Sequence, residues 1–344
     1  GARARAPPAS KPVVWVLSTG GTISGRGASS TSLANYSSGA ITGAELIAGV
    51  PEIAQVADIK VEQIANISST DITVAHWLTL ASRINAIFDG DPNVAGVVVT
   101  HGTNTIEETA YFLNLTVKHD RPVVLVGSMR PASAISADGP LNLLNAVRTA
   151  SSKEARGRGV LVVLNDEING ARDVTKTNTY RVETFRAPEL GLLGYVDADA
   201  VTFYRSSTRR HTSRSEFDIR GLTSLPTVDI LYSYVQPSTS LAAALAASGV
   251  QGIVFAGTGA GLVSTNSALC SGMRRSWISN TLSRSRFFHA SCISPHSRGA
   301  MFAVTEMQPS PPWARKPTAL ASSPESCRKP FLARNFVSVG RAMS

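Results

Sequence analysis

The chain reads as an α/β protein in which a large N-terminal parallel-sheet domain precedes a smaller C-terminal α/β domain. Three observations predict this. Short runs rich in β-branched residues stand at 13–18, 59–64, 95–100, 122–127 and 159–164. Helical patterns fill intervals between them at 73–88, 105–118 and 139–152. Two of the runs end in a glycine turn that carries hydroxyls: Thr19-Gly20-Gly21-Thr22-Ile23 and His101-Gly102-Thr103-Asn104-Thr105. Near-continuous apolar runs are the mark of strands buried on both faces, and strands alternating with helices of this length build βαβ units.

The first run, Val13-Val14-Trp15-Val16-Leu17-Ser18, leads straight into the first glycine turn. Glycines at that point let backbone N–H groups and small side chains crowd around a ligand at the carboxyl edge of a sheet. A Gly/Ser/Thr-rich stretch, 25–38, follows and has the composition of a lid. Val97-Val98-Val99-Thr100 leads into the second turn in the same way. In the next helix Thr105 is placed to cap, and Glu107 and Glu108 favour the positive N-terminus. Ile106, Ala110, Leu113 and Val117 share one side, so that N-terminus points at the site. A charged, serine-rich stretch at 205–221 reads as linker. Val228 to Tyr234, a helix near 238–248 and Gly252 to Ala256 then open the second α/β domain. The divisions are a trimmed or flexible N-terminus at 1–12, the large domain at 13–204, a linker at 205–227 and the smaller domain at 228–344.

Charge and cysteine both break near residue 262. The whole formal net charge of +9 falls after that point, where Glu306 and Glu325 are the sole acids, and Cys270, Cys292 and Cys327 lie there too. The body offers no disulfide framework and no cysteine cluster for a metal. Periodicity also fails in the tail, and Pro309, Pro311, Pro312, Pro317, Pro324 and Pro330 forbid a long helix there. A shifted reading frame beginning near Leu262 accounts for this text; a basic arm for polyanions is the rival reading. No apolar run reaches the length of about 18 residues that a membrane span needs. No Gly-x-Gly-x-x-Gly follows the first strand, so a dinucleotide site is disfavoured.

The two threonine turns, with Ser136-Ala137-Asp138-Gly139-Pro140-Leu141-Asn142 and Gly170-Ala171-Arg172-Asp173-Val174-Thr175-Lys176-Thr177-Asn178 downstream, resemble bacterial type II L-asparaginases and the related glutaminase-asparaginases. The similarity runs in family order from about Val13 to Gly261, and 262–344 does not match. Four motifs at family spacing are far more specific than one glycine turn. The resemblance implies hydrolysis of L-asparagine to L-aspartate and ammonia through a threonine acyl-enzyme, with L-glutamine as a second substrate. It also implies no cofactor, a homotetramer with sites at subunit interfaces, a periplasmic or secreted address, and neither nucleic acid nor membrane as partner.

Residue by residue, Thr22 matches the acylated nucleophile, whose hydroxyl needs a neighbour to take its proton. Tyr36 matches the lid tyrosine that closes over it. Thr103 matches a second essential threonine and Lys176 the lysine that activates it, an ammonium whose pKa burial would depress. Ser69 and Thr70 match positions that bind the substrate carboxylate; Thr70 is smaller than the usual residue there. Asn104 stands where the family has an aspartate facing the substrate ammonium, which keeps the shape and removes the charge. A glutamate from a neighbouring subunit's second domain has no counterpart in the unmatched tail. His101 reads as a satisfied structural histidine. Two further functions stay open: a catalytically impaired amino-acid-binding homologue, and a basic-tailed interaction protein.

Overall fold

The computed structural model describes residues 10–198, 200–256 and 258, with two short strands at Ser279–Asn280 and Ser291–Cys292. The reading-frame shift, the basic arm and the tail cysteines Cys270 and Cys327 therefore lie outside the described residues. The chain divides into two compact units, Gly1–Ser224 and Leu225–Ser344.

The first unit is built on an eight-stranded sheet. Across it the strands run Ala200–Phe203, Gly194–Asp197, Glu167–Gly170, Val160–Leu164, Val123–Val126, Val94–Thr100, Val13–Gly20 and Asp58–Ile67. The last five of these positions, from Val160–Leu164 to Asp58–Ile67, pair in parallel. The first three add antiparallel at one side of the otherwise parallel sheet. After strand 13–20 the chain steps outward to 58–67, then crosses back to 94–100 on the opposite side of 13–20. This reversal is a topological switch point, and a crevice opens at the carboxyl ends of the two diverging strands in such sheets.

Helices Val74–Gly90, Ile106–Thr116 and Gly139–Ser151 flank the sheet. Each predicted helix and strand of this unit forms within a few residues of its expected limits. The central valine runs are buried, with Val97, Val98, Val99, Val123, Val124, Leu161 and Val162 fully inaccessible, whereas Asp58–Ile67 is a half-exposed edge strand. One core layer joins Val14, Val16, Ile23, Val98, Val124, Leu143, Val147, Leu161 and Val163. At about 25 cal/mol per Å² of apolar surface removed from water, such residues dominate the stabilisation of the sheet.

In the second unit, strand Val228–Tyr232 pairs in parallel with Gly252–Ala256 through the helix Thr239–Ala247. This is one complete βαβ unit. The two strands thus satisfy one edge of each other.

Candidate active site

Both threonine turns leave the sheet at the switch point, side by side. Gly21 takes φ +82°, and a Cβ there would fall 2.3 Å from the Cα and N of Gly102. A Cβ on Gly102 would in turn lie 2.7 Å from Ser69 Oγ. The loops at 19–22 and 101–105 therefore meet backbone to backbone, with the Ser69 side chain packed against Gly102, and only glycine at these two positions permits the approach. Thr19 Oγ1 donates to the Thr100 carbonyl at 2.8 Å, and Thr100 Oγ1 to Ser18 Oγ at 3.0 Å, tying the strand ends beneath the loops.

Thr22 opens a 3-10 turn just past the glycines and is buried, with its Oγ1 2.7 Å from the Tyr36 hydroxyl. Tyr36 is delivered by a small antiparallel ribbon, Arg26–Gly27 with Tyr36–Ser37. A Cβ on Gly25 would come 2.8 Å from the ring, so the tyrosine packs directly against that glycine. The ribbon is anchored from outside itself: Gly27 N–H donates to Ser133 Oγ at 2.8 Å, and Ile135 N–H donates to the Ser30 carbonyl at 2.8 Å.

Thr103 has a different kind of partner. Lys176 Nζ donates to Thr103 Oγ1 at 2.8 Å and to Asn104 Oδ1 at 3.1 Å. An ammonium has no acceptor, so Asn104 must present its oxygen here, which leaves the amide N–H₂ for other partners. Burial lowers the Lys176 pKa from the ordinary lysine value, and the Glu107 charge partly opposes that. Lys176 sits on the two-residue strand Thr175–Lys176, which pairs with Phe185–Arg186. That strand is docked to the helix 106–116 by Glu107, whose carboxylate accepts the Lys176 N–H at 2.6 Å and the Thr175 hydroxyl at 3.1 Å. Burial, followed by the charge of Glu107, pushes Glu108 up.

Behind this loop runs a buried chain. Trp77 Nε1 donates to Thr109 Oγ1 at 2.8 Å, Thr109 Oγ1 lies 3.0 Å from His101 Nε2, and His101 Nδ1 lies 2.8 Å from the Gly102 carbonyl. A carbonyl only accepts, so the proton belongs on Nδ1, and Nε2 accepts from the threonine. Burial lowers His101 to about 4, so the ring is neutral. His101 is the satisfied core histidine that the sequence suggested. By holding the Gly102 carbonyl inward it turns the Thr103 N–H of the same trans peptide the opposite way.

Ser69 is buried; its Oγ accepts the Asn104 N–H at 3.2 Å, and its carbonyl accepts the Thr105 hydroxyl at 2.7 Å. Thr105 does hold the N-cap position, yet its side chain makes no cap bond. The expected cap gives way because the hydroxyl bonds to the Ser69 loop instead. Thr70 is exposed and donates to Ser68 Oγ at 2.9 Å. A cavity of about 230 Å³ is lined by Gly21, Thr22, Tyr36, Ser69, Gly102 and Asn104, among others. Of the expected residues, Thr22, Tyr36, Ser69 and Asn104 face one cavity, and Thr103 and Lys176 bond to one another behind Asn104. Thr70 lies just outside the lining. No group of three or more metal-ligating side chains occurs among the described residues. Glu107 and Ser133 were not anticipated as parts of this arrangement; the acid one helical turn past Thr103 was the sole visible signal.

Residues 13–209 match the family model for the N-terminal region of asparaginases. The chain is 51% identical to L-asparaginase 2 of Bacillus subtilis over 253 residues, covering 74% of this chain and 67% of that protein. It is 48% identical to a glutaminase-asparaginase of Pseudomonas fluorescens, covering 73% and 69% of the two chains. The crystal structure of a probable cytoplasmic L-asparaginase from Campylobacter jejuni superimposes with a TM-score of 0.75 at 46% identity, covering 83% of this chain and 86% of that one.

Proposed function

The chain belongs to the asparaginase family, and from that membership we propose that it hydrolyses L-asparagine to L-aspartate and ammonia through an ester on Thr22. The observation that carries the reading is a cavity with two hydrogen-bonded hydroxyls at or beside it, Thr22 against Tyr36 and Thr103 against Lys176.

Thr22 Oγ1 attacks the side-chain amide carbon. The C–O bond forms, the C–N bond breaks, and the nitrogen departs as ammonia carrying a proton relayed through the hydroxyls. Water then adds to the ester, Thr22 regains its proton, and aspartate leaves. Thr22 is the better nucleophile of the pair because it lines the cavity, whereas Thr103 faces Lys176. Lys176, its pKa lowered by burial, serves as the proton acceptor for Thr103. Backbone N–H groups of the two glycine turns suit the developing oxyanion, and Ser69 and Thr70 the substrate carboxylate.

L-Glutamine is the second substrate on this reading, in keeping with the name of the Pseudomonas fluorescens relative. The assembly is a homotetramer with sites at subunit boundaries, and the divisions of the chain are 13–204, a linker at 205–227, and 228–344. A periplasmic address agrees with the name of a 50% identical relative from Haemophilus influenzae, a probable periplasmic L-asparaginase. Among the described residues no helix is long and apolar enough to cross a membrane.

The test is ammonia release from L-asparagine by the purified chain, with acid-quenched protein examined for an aspartyl ester on the Thr22 peptide by mass spectrometry. Release with that adduct supports the reading. Binding of asparagine without ammonia would favour a catalytically impaired amino-acid-binding homologue.

A further inference from the structure

We propose that Glu107 is the positioning residue that holds Lys176 against Thr103 and supplies the counter-charge for its ammonium. The inference rests on the reading of Thr103 and Lys176 given above.

A two-residue strand has little intrinsic stability, so something must fix where Lys176 stands. Its cross-strand partner Phe185 is buried and provides packing but no direction. Direction comes from Glu107. Both of its oxygens are used, one by the Lys176 backbone N–H and one by the Thr175 hydroxyl. These contacts bridge 69 and 68 residues of chain, from the first turn of a rigid helix to the loop that bears the lysine. The same helix follows directly on Thr103 and Asn104, so one element places both the hydroxyl and the amine that meets it. A carboxylate that accepts two hydrogen bonds from one short strand is an aligned clamp.

The charges around Lys176 single out the same residue. Asn104, although bonded to Nζ, is an amide and brings no charge. Glu108, next on the helix, is pushed toward its neutral form by burial. On the facing strand Arg186 lies opposite Thr175 and is paired with Glu167 and Glu183. Glu107 is left as the carboxylate that opposes the desolvation of Lys176.

The experiment uses the full chain and two variants, Glu107→Ala and Glu107→Gln. Glutamine retains an oxygen for the Lys176 N–H and an N–H for the Thr175 hydroxyl, but carries no charge. Alanine should lower kcat by about tenfold or more with KM little changed, since a small displacement of a reacting group is costly. Glutamine should restore most of that loss. In the glutamine variant the pH at which Lys176 reacts half-maximally with trace acetic anhydride, read on its peptide by mass spectrometry, should fall by about one unit. The acid limb of kcat/KM should move down with it. Parental kcat in the alanine variant would overturn the proposal, as would a glutamine variant as slow as alanine with its Lys176 labelling unmoved. Should the parent chain release no ammonia, the proposed function fails by itself. The labelling then still decides, because a Lys176 midpoint that does not fall in Glu107→Gln refutes the counter-charge.

Discussion

The two threonine turns start from nearly the same local text, a valine-rich strand, glycine and a hydroxyl, and end in different chemical situations. Thr22 faces a phenol carried on a thin ribbon that leans on Ser133 and Ile135. Thr103 faces a cation clamped by a helix-borne carboxylate, and its loop is backed by the buried chain from Trp77 through Thr109 to His101. The first arrangement suits a nucleophile that must be covered and uncovered as substrate comes and goes. The second suits a fixed proton relay. A motif therefore supplies a hydroxyl at a sheet edge, while its role is set by what a distant segment brings to it.

The strongest way to break this contrast is to remove the Thr22 hydroxyl and, separately, the amine that faces Thr103. Thr22→Ala should lower kcat by about 10⁴-fold or more, while Thr22→Ser retains measurable turnover, because an ester needs an oxygen. Lys176→Met should cost about 10²- to 10⁴-fold in kcat with little change in substrate binding, the range for lost general acid–base catalysis. Steady-state kinetics with a binding assay on each variant decide it. A Lys176→Met protein that failed chiefly in binding would give the second turn a recognition role instead.

The backing of the second turn has its own signature. His101 is neutral in the fold with a pKa lowered to about 4, against 6.5 for an unperturbed histidine. The unfolded chain therefore takes up the proton first. The contribution is fully present above about pH 6.5 and is lost as the pH falls from there through about 4, amounting to about 3 kcal/mol. Urea unfolding at pH 7.5 and 4.5 should show a smaller acid loss in His101→Gln than in the parent. Equal losses would mean that the ring does not carry this acid sensitivity.

The smallest expected effect sharpens the contrast at Asn104, which lines the cavity and also bonds to Lys176. Asn104→Asp should raise kcat/KM for L-asparagine by about tenfold, equivalent to about 1.4 kcal/mol, with a much smaller gain for an analogue lacking the α-amino group. The added carboxylate also favours the charged form of Lys176. Its pKa rises, and the pH at which activity sets in should move upward. Equal gains with both substrates would show that the charge acts on the lysine rather than on the substrate.

Much of the fold was legible because its central strands are valine runs buried on both faces, and burial of that kind leaves a compositional trace. The antiparallel additions Glu167–Gly170, Gly194–Asp197 and Ala200–Phe203 were not read, since four-residue strands with mixed polarity leave no usable period. The ribbons that carry Tyr36 and Lys176 are two residues per strand and have no pattern at all. Thr105 shows the limit from the other side: its position before the helix predicted a cap, and a carbonyl on a separate loop, at Ser69, took its hydroxyl instead.

By itself the sequence determined which segments are buried strands and helices, where the glycines sit, and, through its likeness to a family, which hydroxyls and which amine belong together. Those properties are local or inherited in order along the chain. The tertiary structure alone decided that Gly21 and Gly102 touch, that the site lies at the reversal of strand order, and that Glu107 clamps a lysine 69 residues away. Such contacts depend on how separate elements pack in space, and a hydrogen bond between distant segments leaves no period or composition in either of them.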